Sequence, residues 1–323
     1  MVKDMRTVHL RTKILLMLAF FASANSCKED FDLDTDVGTV VAVAPTLFVD
    51  GTTVTTVPCT LSNGISTTCY QIVAGIPTDH QLGPWCPDNI ADGAEAGGIW
   101  LDKGKVYDVD GDFVENLASF YQDHTWKMYD ADGNIYKTRT LDDCINAANP
   151  NVGGAYQNYC VECVPEHITG LTRTWLIPVK PVKLNTSASF AGMGPGAMGP
   201  TVRGIAFNGT EFSASAPLNN ILSAYTIAPF DDAGGHINVH QGYHYHAATG
   251  ISTTIAQPDG HAGMIGYAMD GHGIYAQLND KDGEPIGLDG CRGHYDEVRG
   301  YHYHVDAAGA NNFINCLYGA YVF

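Results

Sequence analysis

The chain has 323 residues, enough for two packed domains, and its 17 Lys and Arg against 35 Asp and Glu give a formal charge of −18. So strong an acidic excess excludes nucleic acid as a partner held by the general field of the protein. With 36 Gly and 15 Pro and no long amphipathic stretch, the composition points to a mainly β protein, β-rich with a few short helices.

Residues 1–26 read as a signal peptide. Lys3, Arg6, Arg11 and Lys13 precede an apolar run from Ile14 to Ala24 that is too short to span a membrane comfortably. The run ends at Asn25, Ser26 and Cys27, and a cysteine placed directly after small residues resembles a bacterial lipoprotein signal. Cys27 is then the lipidation site, and residues 27–40 are a lipidated cysteine with an acidic tether. The tether is a solvated spacer rather than a binding site. Export without residues 1–26 leaves 13 basic and 34 acidic side chains, a formal charge of −21. The expected location is the cell envelope, with the protein tethered through lipid to the outer membrane or cell surface.

Residues 41–175 read as a β-rich, disulfide-containing N-terminal domain. The Val- and Thr-rich segment 38–75 carries Asp50-Gly51 and Asn63-Gly64, the signals of β-hairpins. The stretch from Thr78 to Pro87 reads as a packing corner, with His80 as a weak ligand candidate. Asp108-Val-Asp110-Gly111, Asp130-Ala-Asp132-Gly133 and Asp280-Lys-Asp282-Gly283 raise the question of calcium. The twelfth positions of these runs are Ser119, Leu141 and Cys291, so EF-hands are excluded and tight hairpin turns are expected instead. Two short helices are expected, from Phe113 to about Gln122 and from Leu141 to about Ala148, the second with Thr140 as N-cap and Asp143 three residues on. Trp175 to Leu184 is apolar but contains Pro178 and Pro181, which suits an edge strand or crossing segment. Ala191 to Pro200 reads as a flexible connection.

Eight cysteines remain besides Cys27, an even number in an exported chain, which argues for disulfides. Cys291 is expected to pair with Cys316 and Cys59 with Cys69. The connectivity of Cys86, Cys144, Cys160 and Cys163 stays open. Cys160-Val-Glu-Cys163 has the spacing of half a zinc site, but without a second such pair a disulfide role is the better reading.

Residues 176–323 form the second expected domain, built on a motif that occurs twice. Residues 235–246 and 293–304 both read GHxxxxxGYHYH, 58 residues apart. Upstream, Gly204 to Gly209 matches Gly266 to Gly271 as Gly-x-Ala, then an apolar residue, Asn or Asp, and Gly. The whole is read as two duplicated β-repeats in a pseudo-two-fold arrangement. In an extended segment side chains alternate between faces, so His244 and His246 share one face and Tyr243 and Tyr245 the other; His302, His304, Tyr301 and Tyr303 follow the same rule.

These motifs, with the segment from His261 to Tyr275, Leu288 to Cys291, and Ile314 to Cys316, resemble the YHYH-domain protein family over roughly residues 200–323. The resemblance implies an exported bacterial protein and does not imply a reaction. His272-Gly273 departs from the apolar residue and proline expected there, so His272 is set aside as a family ligand.

Nine of the 13 histidines lie between 236 and 304. Neutral imidazole is the commonest protein metal ligand, and His-x-His on a strand presents two nitrogens on one side, which suits copper or zinc. The expected ligands are His236, His244, His246, His261, His294, His302 and His304, gathered in one site or a close pair. His240 has Val298 at its matched position and is excluded. Tyr243, Tyr245, Tyr301, Tyr303 and Asp289 are expected to support the ligands. No GxSxG motif is present and the cysteines are expected to be oxidised, so a serine or cysteine hydrolase lacks its nucleophile. Metal-free acid–base chemistry by His236 or His294 with Asp232, Asp289 or Asp296 is the catalytic rival. The leading reading is a metal-binding envelope lipoprotein able to support oxidase or hydrolase chemistry. The alternatives are a metal-free extracellular module for glycan or protein, and a structural surface protein.

Overall fold

The Thr- and Val-rich run after Asp50-Gly51 forms β1 (Thr53–Thr60) and β2 (Ser66–Ala74) in one antiparallel hairpin, turned at Asn63-Gly64 where Gly64 has φ +84. A computed structural model describes residues 38–147, 153–191, 199–277 and 287–323. The expected signal peptide, Cys27 and most of the acidic tether lie outside the described residues. So do the Asp280-Lys-Asp282-Gly283 turn and most of the Ala191–Pro200 connection.

A second small hairpin joins β3 (Ile99–Asp102) and β4 (Lys105–Asp108) through Lys103-Gly104, both at positive φ. The hairpin turn expected at Asp108-Val-Asp110-Gly111 is instead a helix start, because the Asp110 carboxylate accepts the Phe113 N–H at 2.7 Å. The single helix expected from Phe113 to Gln122 is two short ones, α1 (Gly111–Glu115) and α2 (Leu117–Phe120). Asn116 divides them: its amide donates to the Asp112 carbonyl and carboxylate, a local bond that competes with helix continuation. The turn at Asp130 to Gly133 forms as expected, between bridged Tyr129 and Ile135. Helix α3 (Leu141–Ala147) has its anticipated cap, in which Thr140 Oγ1 accepts the Asp143 N–H at 3.1 Å and Asp143 accepts the Thr140 N–H at 3.1 Å.

Strand β5 (Arg173–Pro178) is the edge of the sheet β1-β2-β5, the place its proline allows. Strand β6 (Lys183–Ser189) pairs with a strand at the end of the chain, described below. The large sheet begins with β7 (Gly204–Ala206) and β8 (Glu211–Phe212), then α4 (Leu218–Ser223) intervenes before β9 (Gly235–Asn238) and β10 (Gly242–Tyr245). It continues with β11 (Met264–Ala268), β12 (Gly273–Tyr275), β13 (Gly293–Asp296) and β14 (Gly300–His304); β15 (Cys316–Gly319) then closes on β6.

The eight strands of the large sheet lie in the order β13-β14-β12-β11-β7-β8-β10-β9. From either edge the pairings read the same: an antiparallel motif hairpin, a parallel contact to a short strand, then an antiparallel turn back to the centre, where β7 and β11 meet.

The main core draws on Val43, Ile72, Trp85 and Ile177 together with Phe207, Phe212, Ile274, Phe313 and Leu317, so segments from both ends of the described chain share it. The boundary expected at 175/176 falls inside β5. A second cluster packs Trp100, Leu117 and Met128 against Phe230, next to one of the motif hairpins.

Four disulfides tie these layers. Cys59–Cys69 and Cys291–Cys316 are paired as expected, and Cys86–Cys160 and Cys144–Cys163 complete the set. The two cysteines of Cys160-Val-Glu-Cys163 therefore serve different partners, and the group Cys144, Cys163 and His167 offers no thiolate to a metal. Cys291–Cys316 joins the loop before β13 to β15. Replacing both cysteines with Ala should lower stability by roughly 2–4 kcal/mol in denaturant unfolding. Non-reducing peptide mapping of the unaltered protein should return the four pairs; Cys291 linked elsewhere, or an unchanged unfolding midpoint in the double variant, contradicts this role.

Candidate metal centre

The spacing of GHxxxxxGYHYH is the geometry of a tight antiparallel hairpin. His236 pairs directly with His244 and His294 with His302, while Gly235 faces Tyr245 and Gly293 faces Tyr303. The three loop residues are held by an Asx turn: the Asn238 side-chain oxygen accepts the N–H groups of His240 and Gln241, as Asp296 accepts those of Val298 and Arg299. The closing glycines, Gly242 and Gly300, have φ +81 and +64. A side chain on Gly235 would meet the Tyr243 ring at 2.3 Å, and one on Gly293 the Tyr301 hydroxyl at 2.1 Å. Each glycine is therefore the floor on which a tyrosine lies.

Strand alternation then separates the two residue types. Tyr243 donates to the buried carboxylate of Asp231 at 2.9 Å, and Tyr301 to Asp289 at 2.8 Å. Tyr303 donates to Asp270 at 2.6 Å, whereas the Tyr245 hydroxyl accepts from the Asn208 amide at 2.8 Å. Burial and the nearby carboxylates push the Tyr243 and Tyr303 hydroxyls well above the usual phenol range, so both stay protonated donors. The motif tyrosines and Asp289 thus anchor the hairpins to the core instead of bonding to the ligand imidazoles. Asp231, which the sequence reading passed over in favour of its neighbour Asp232, is the counterpart of Asp289. Its signal was the same 58-residue offset: each stands four residues before the glycine of its GH pair.

On the other face the imidazoles converge. His236 Nε2 lies 3.1 Å from His244 Nε2 and 3.2 Å from His246 Nε2. In the second hairpin His294 Nε2 lies 3.0 Å from His302 Nε2 and 3.2 Å from His304 Nε2, and His261 adds its Nε2 at 3.1 Å from that of His302. Five of the seven rings have Nδ1 on a backbone carbonyl: His244 on Gly242 at 3.0 Å, His246 on Ala214 at 2.6 Å, His302 on Gly300 at 3.0 Å, His304 on Ala276 at 3.0 Å and His261 on Ala262 at 3.0 Å. A carbonyl can only accept, so Nδ1 carries the proton of the neutral ring and Nε2 presents a lone pair.

Burial holds His244 and His302 down at about 4 and His304 at about 3. Burial and the neighbouring rings push His236 and His246 well below the usual value, and His294 is lowered by burial and by His261. The Nε2 lone pairs of His302 and His261 face each other at 3.1 Å and repel unless a cation lies between them, whereas His236 and His294, whose Nδ1 is not on a carbonyl, can instead donate from Nε2. A tetrahedral ion with nitrogen ligands at 2.0–2.1 Å requires edges of about 3.3 Å, close to the separations observed.

The structure resolves the ligand set into two centres. Histidines 236, 244 and 246 form one group, and 261, 294, 302 and 304 the other. Their strands β10 and β14 are five strand spacings apart in the sheet, about 24 Å along it. The one site or close pair expected from face-to-face packing is therefore not formed: the two halves join through their central strands β7 and β11, which leaves the motif hairpins at opposite edges.

His240 stands apart, as expected. His80 binds Asp79 and the Tyr243 hydroxyl, and His272 packs on Tyr301 and Tyr318. Of the carboxylates weighed for acid–base chemistry, Asp289 is taken up by Tyr301 and two backbone N–H groups. Asp296 is bound by Arg299 at 2.6 Å, with its carboxylate 3.9 Å from His302 Nε2.

Lowered histidine values have a consequence for the metal-free protein. Below about pH 6.5 the unfolded chain binds protons at these histidines that the folded chain refuses, down to about 4 at His244 and His302 and about 3 at His304, so their contribution to stability falls on acidification through that window. Glu211 and Asp231, raised by burial, act in the opposite sense. The histidine part is isolated by comparing the chelator-treated protein with its His304→Asn variant: the stability lost between pH 7 and 4 should be smaller in the variant. Equal losses would contradict the neutral, buried state of His304.

No curated protein and no solved structure matches the chain significantly. Residues 174–285 match the family model described as YHYH protein, a span that holds the whole three-histidine hairpin and His261 and ends before the second hairpin. Residues 174–285 are therefore similar to the YHYH proteins and mark a YHYH domain in this chain.

Proposed function

We propose that this protein is a cell-envelope lipoprotein that binds a transition metal, copper or zinc, at two histidine centres. The observation that carries the reading is the convergence of seven Nε2 atoms in two groups, five of them on rings whose Nδ1 is committed to a carbonyl. All-imidazole sites suit copper and zinc, and the exported, disulfide-bonded state supports a compartment where thiol ligands are scarce. Copper is the first choice because it stands highest in the divalent affinity order. A metal held by imidazoles supplies Lewis-acid or redox chemistry, which supports hydrolase or oxidase activity.

Elemental analysis of the mature protein after equilibration with copper or zinc should give two equivalents per chain. The His244→Ala/His246→Ala variant should keep one equivalent and the His302→Ala/His304→Ala variant the other, whereas His240→Ala should keep both. Folded wild-type protein without tightly bound metal overturns the proposal in favour of a metal-free binding module.

Membrane attachment is a separate part of the reading, supported by the small residues before Cys27 and the acidic segment after it. The Cys27→Ser variant should move from the detergent phase to the aqueous phase and carry no acyl chain. A variant that still partitions with detergent rules out the anchor.

A further inference from the structure

The two centres are not equivalent. In the second, four imidazoles bring their ligand nitrogens within 4.8 Å of one another, the ligand number of a structural ion. In the first there are three, and among the described residues no further His, Cys, Asp or Glu joins them. His261 stands five residues before Gly266; five residues before Gly204, the matched position holds Gly199. All three histidines of the first centre line a cavity of about 240 Å³. Its walls include Val161, Pro217, Ile221 and Pro229, with the amides of Asn220 and Asn238 as polar points.

Charge distinguishes the surroundings as well. Beside the four-histidine centre Arg299 binds both Asp296 and Asp259. At the matched positions 58 residues earlier stand the neutral Asn238 and Gln241, and the Gln241 amide is engaged by Glu211 and Ser213 at 2.9 Å each. Glu162, the acidic residue in the cavity wall, is neutralised by Lys137 at 3.1 Å.

We propose that the three-histidine centre is an open metal site whose fourth position takes an exogenous ligand from this cavity, while the four-histidine centre is closed and structural. The ligand class is a small uncharged molecule with an apolar body and one oxygen or nitrogen donor, such as a phenol or an alcohol. The cavity is below the usual range for drug-sized ligands and mostly apolar, and no unpaired charge in its wall selects an ionic body. This inference rests on the metal reading above, and deepens it by assigning substrate access to one centre alone.

The test uses the full mature chain loaded with Cu(II), with azide as probe of the open position and phenol as probe of the cavity. Azide gives a charge-transfer band only when bound to the metal, and neutral phenol is read by its loss as phenol competes for the same position. Wild type and the His302→Ala/His304→Ala variant should show the azide band and its loss with phenol; His244→Ala/His246→Ala, with one copper still bound, should show neither. Ala224→Trp, which adds a ring to the cavity wall, should weaken phenol by about tenfold or more while azide still binds. That variant keeps all seven histidines, so the test does not depend on either double variant folding. Two bound coppers with no azide band, or a band that persists in His244→Ala/His246→Ala, overturns the assignment of roles and leaves the metal reading intact. Wild type that binds no copper overturns both.

Discussion

In each motif hairpin a tyrosine ring occupies the space that a side chain on the GH glycine would take, and its hydroxyl donates to a carboxylate at the head of the same hairpin, Asp231 or Asp289. That contact sets the register. A one-residue slip would turn every side chain to the opposite face, exchanging tyrosines for histidines. With the register held, His236 stands across from His244 and His294 from His302, and the second histidine of each His-x-His pair arrives on the same side. Both clusters are consequences of this placement.

The core and the histidines depend on each other through the strand. One face of β10 and β14 buries tyrosines whose hydroxyls need partners, and Asp231, Asn208, Asp270 and Asp289 supply them. The other face buries neutral imidazoles whose protonated nitrogens are satisfied by carbonyls from Ala214 beside β8 and Ala276 beside β12. These two carbonyls follow the strands that run parallel to the motif strands and orient His246 and His304, while His244 and His302 bond to Gly242 and Gly300 of their own hairpins. The unprotonated nitrogens then face other imidazole nitrogens at 3.0–3.2 Å, and a cation is a partner their geometry fits.

The differences between the halves are as informative as the likeness. His261 reaches the second centre from a loop after the Asp259-Gly260 turn, where the Asp259 carboxylate accepts the His261 N–H. Phe230 lies against His236 and His246 at ring separations of 5.0 and 5.2 Å, and Tyr275 against His261 and His302 at 4.8 and 4.9 Å. Cys86–Cys160 ties the segment that covers the first half, and Cys291–Cys316 tethers the loop leading into the second hairpin. The second hairpin is thus fastened to β15 by a covalent link.

The sequence by itself determined the chemistry-bearing residues, because the 58-residue offset of identical Gly, Tyr and His positions and the period-two alternation of strands are local properties. It also determined the β-rich class, the Thr140 cap and the Asn63-Gly64 hairpin, since each depends on neighbours close in the chain, and two of the four disulfides, Cys59–Cys69 across that hairpin and Cys291–Cys316 bracketing the second motif. What the tertiary structure decided is which distant groups meet. The halves join through β7 and β11, short strands with no histidine, so two histidine groups stand at opposite edges where the motif alone suggested one site or a close pair. Pairings of Cys86 with Cys160 and Cys144 with Cys163 join segments whose approach no local pattern encodes. The role of the tyrosines turned on long-range partners as well: alternation places their rings on one face, but only the packed core shows that those hydroxyls reach carboxylates and an amide, leaving backbone carbonyls to orient the imidazoles.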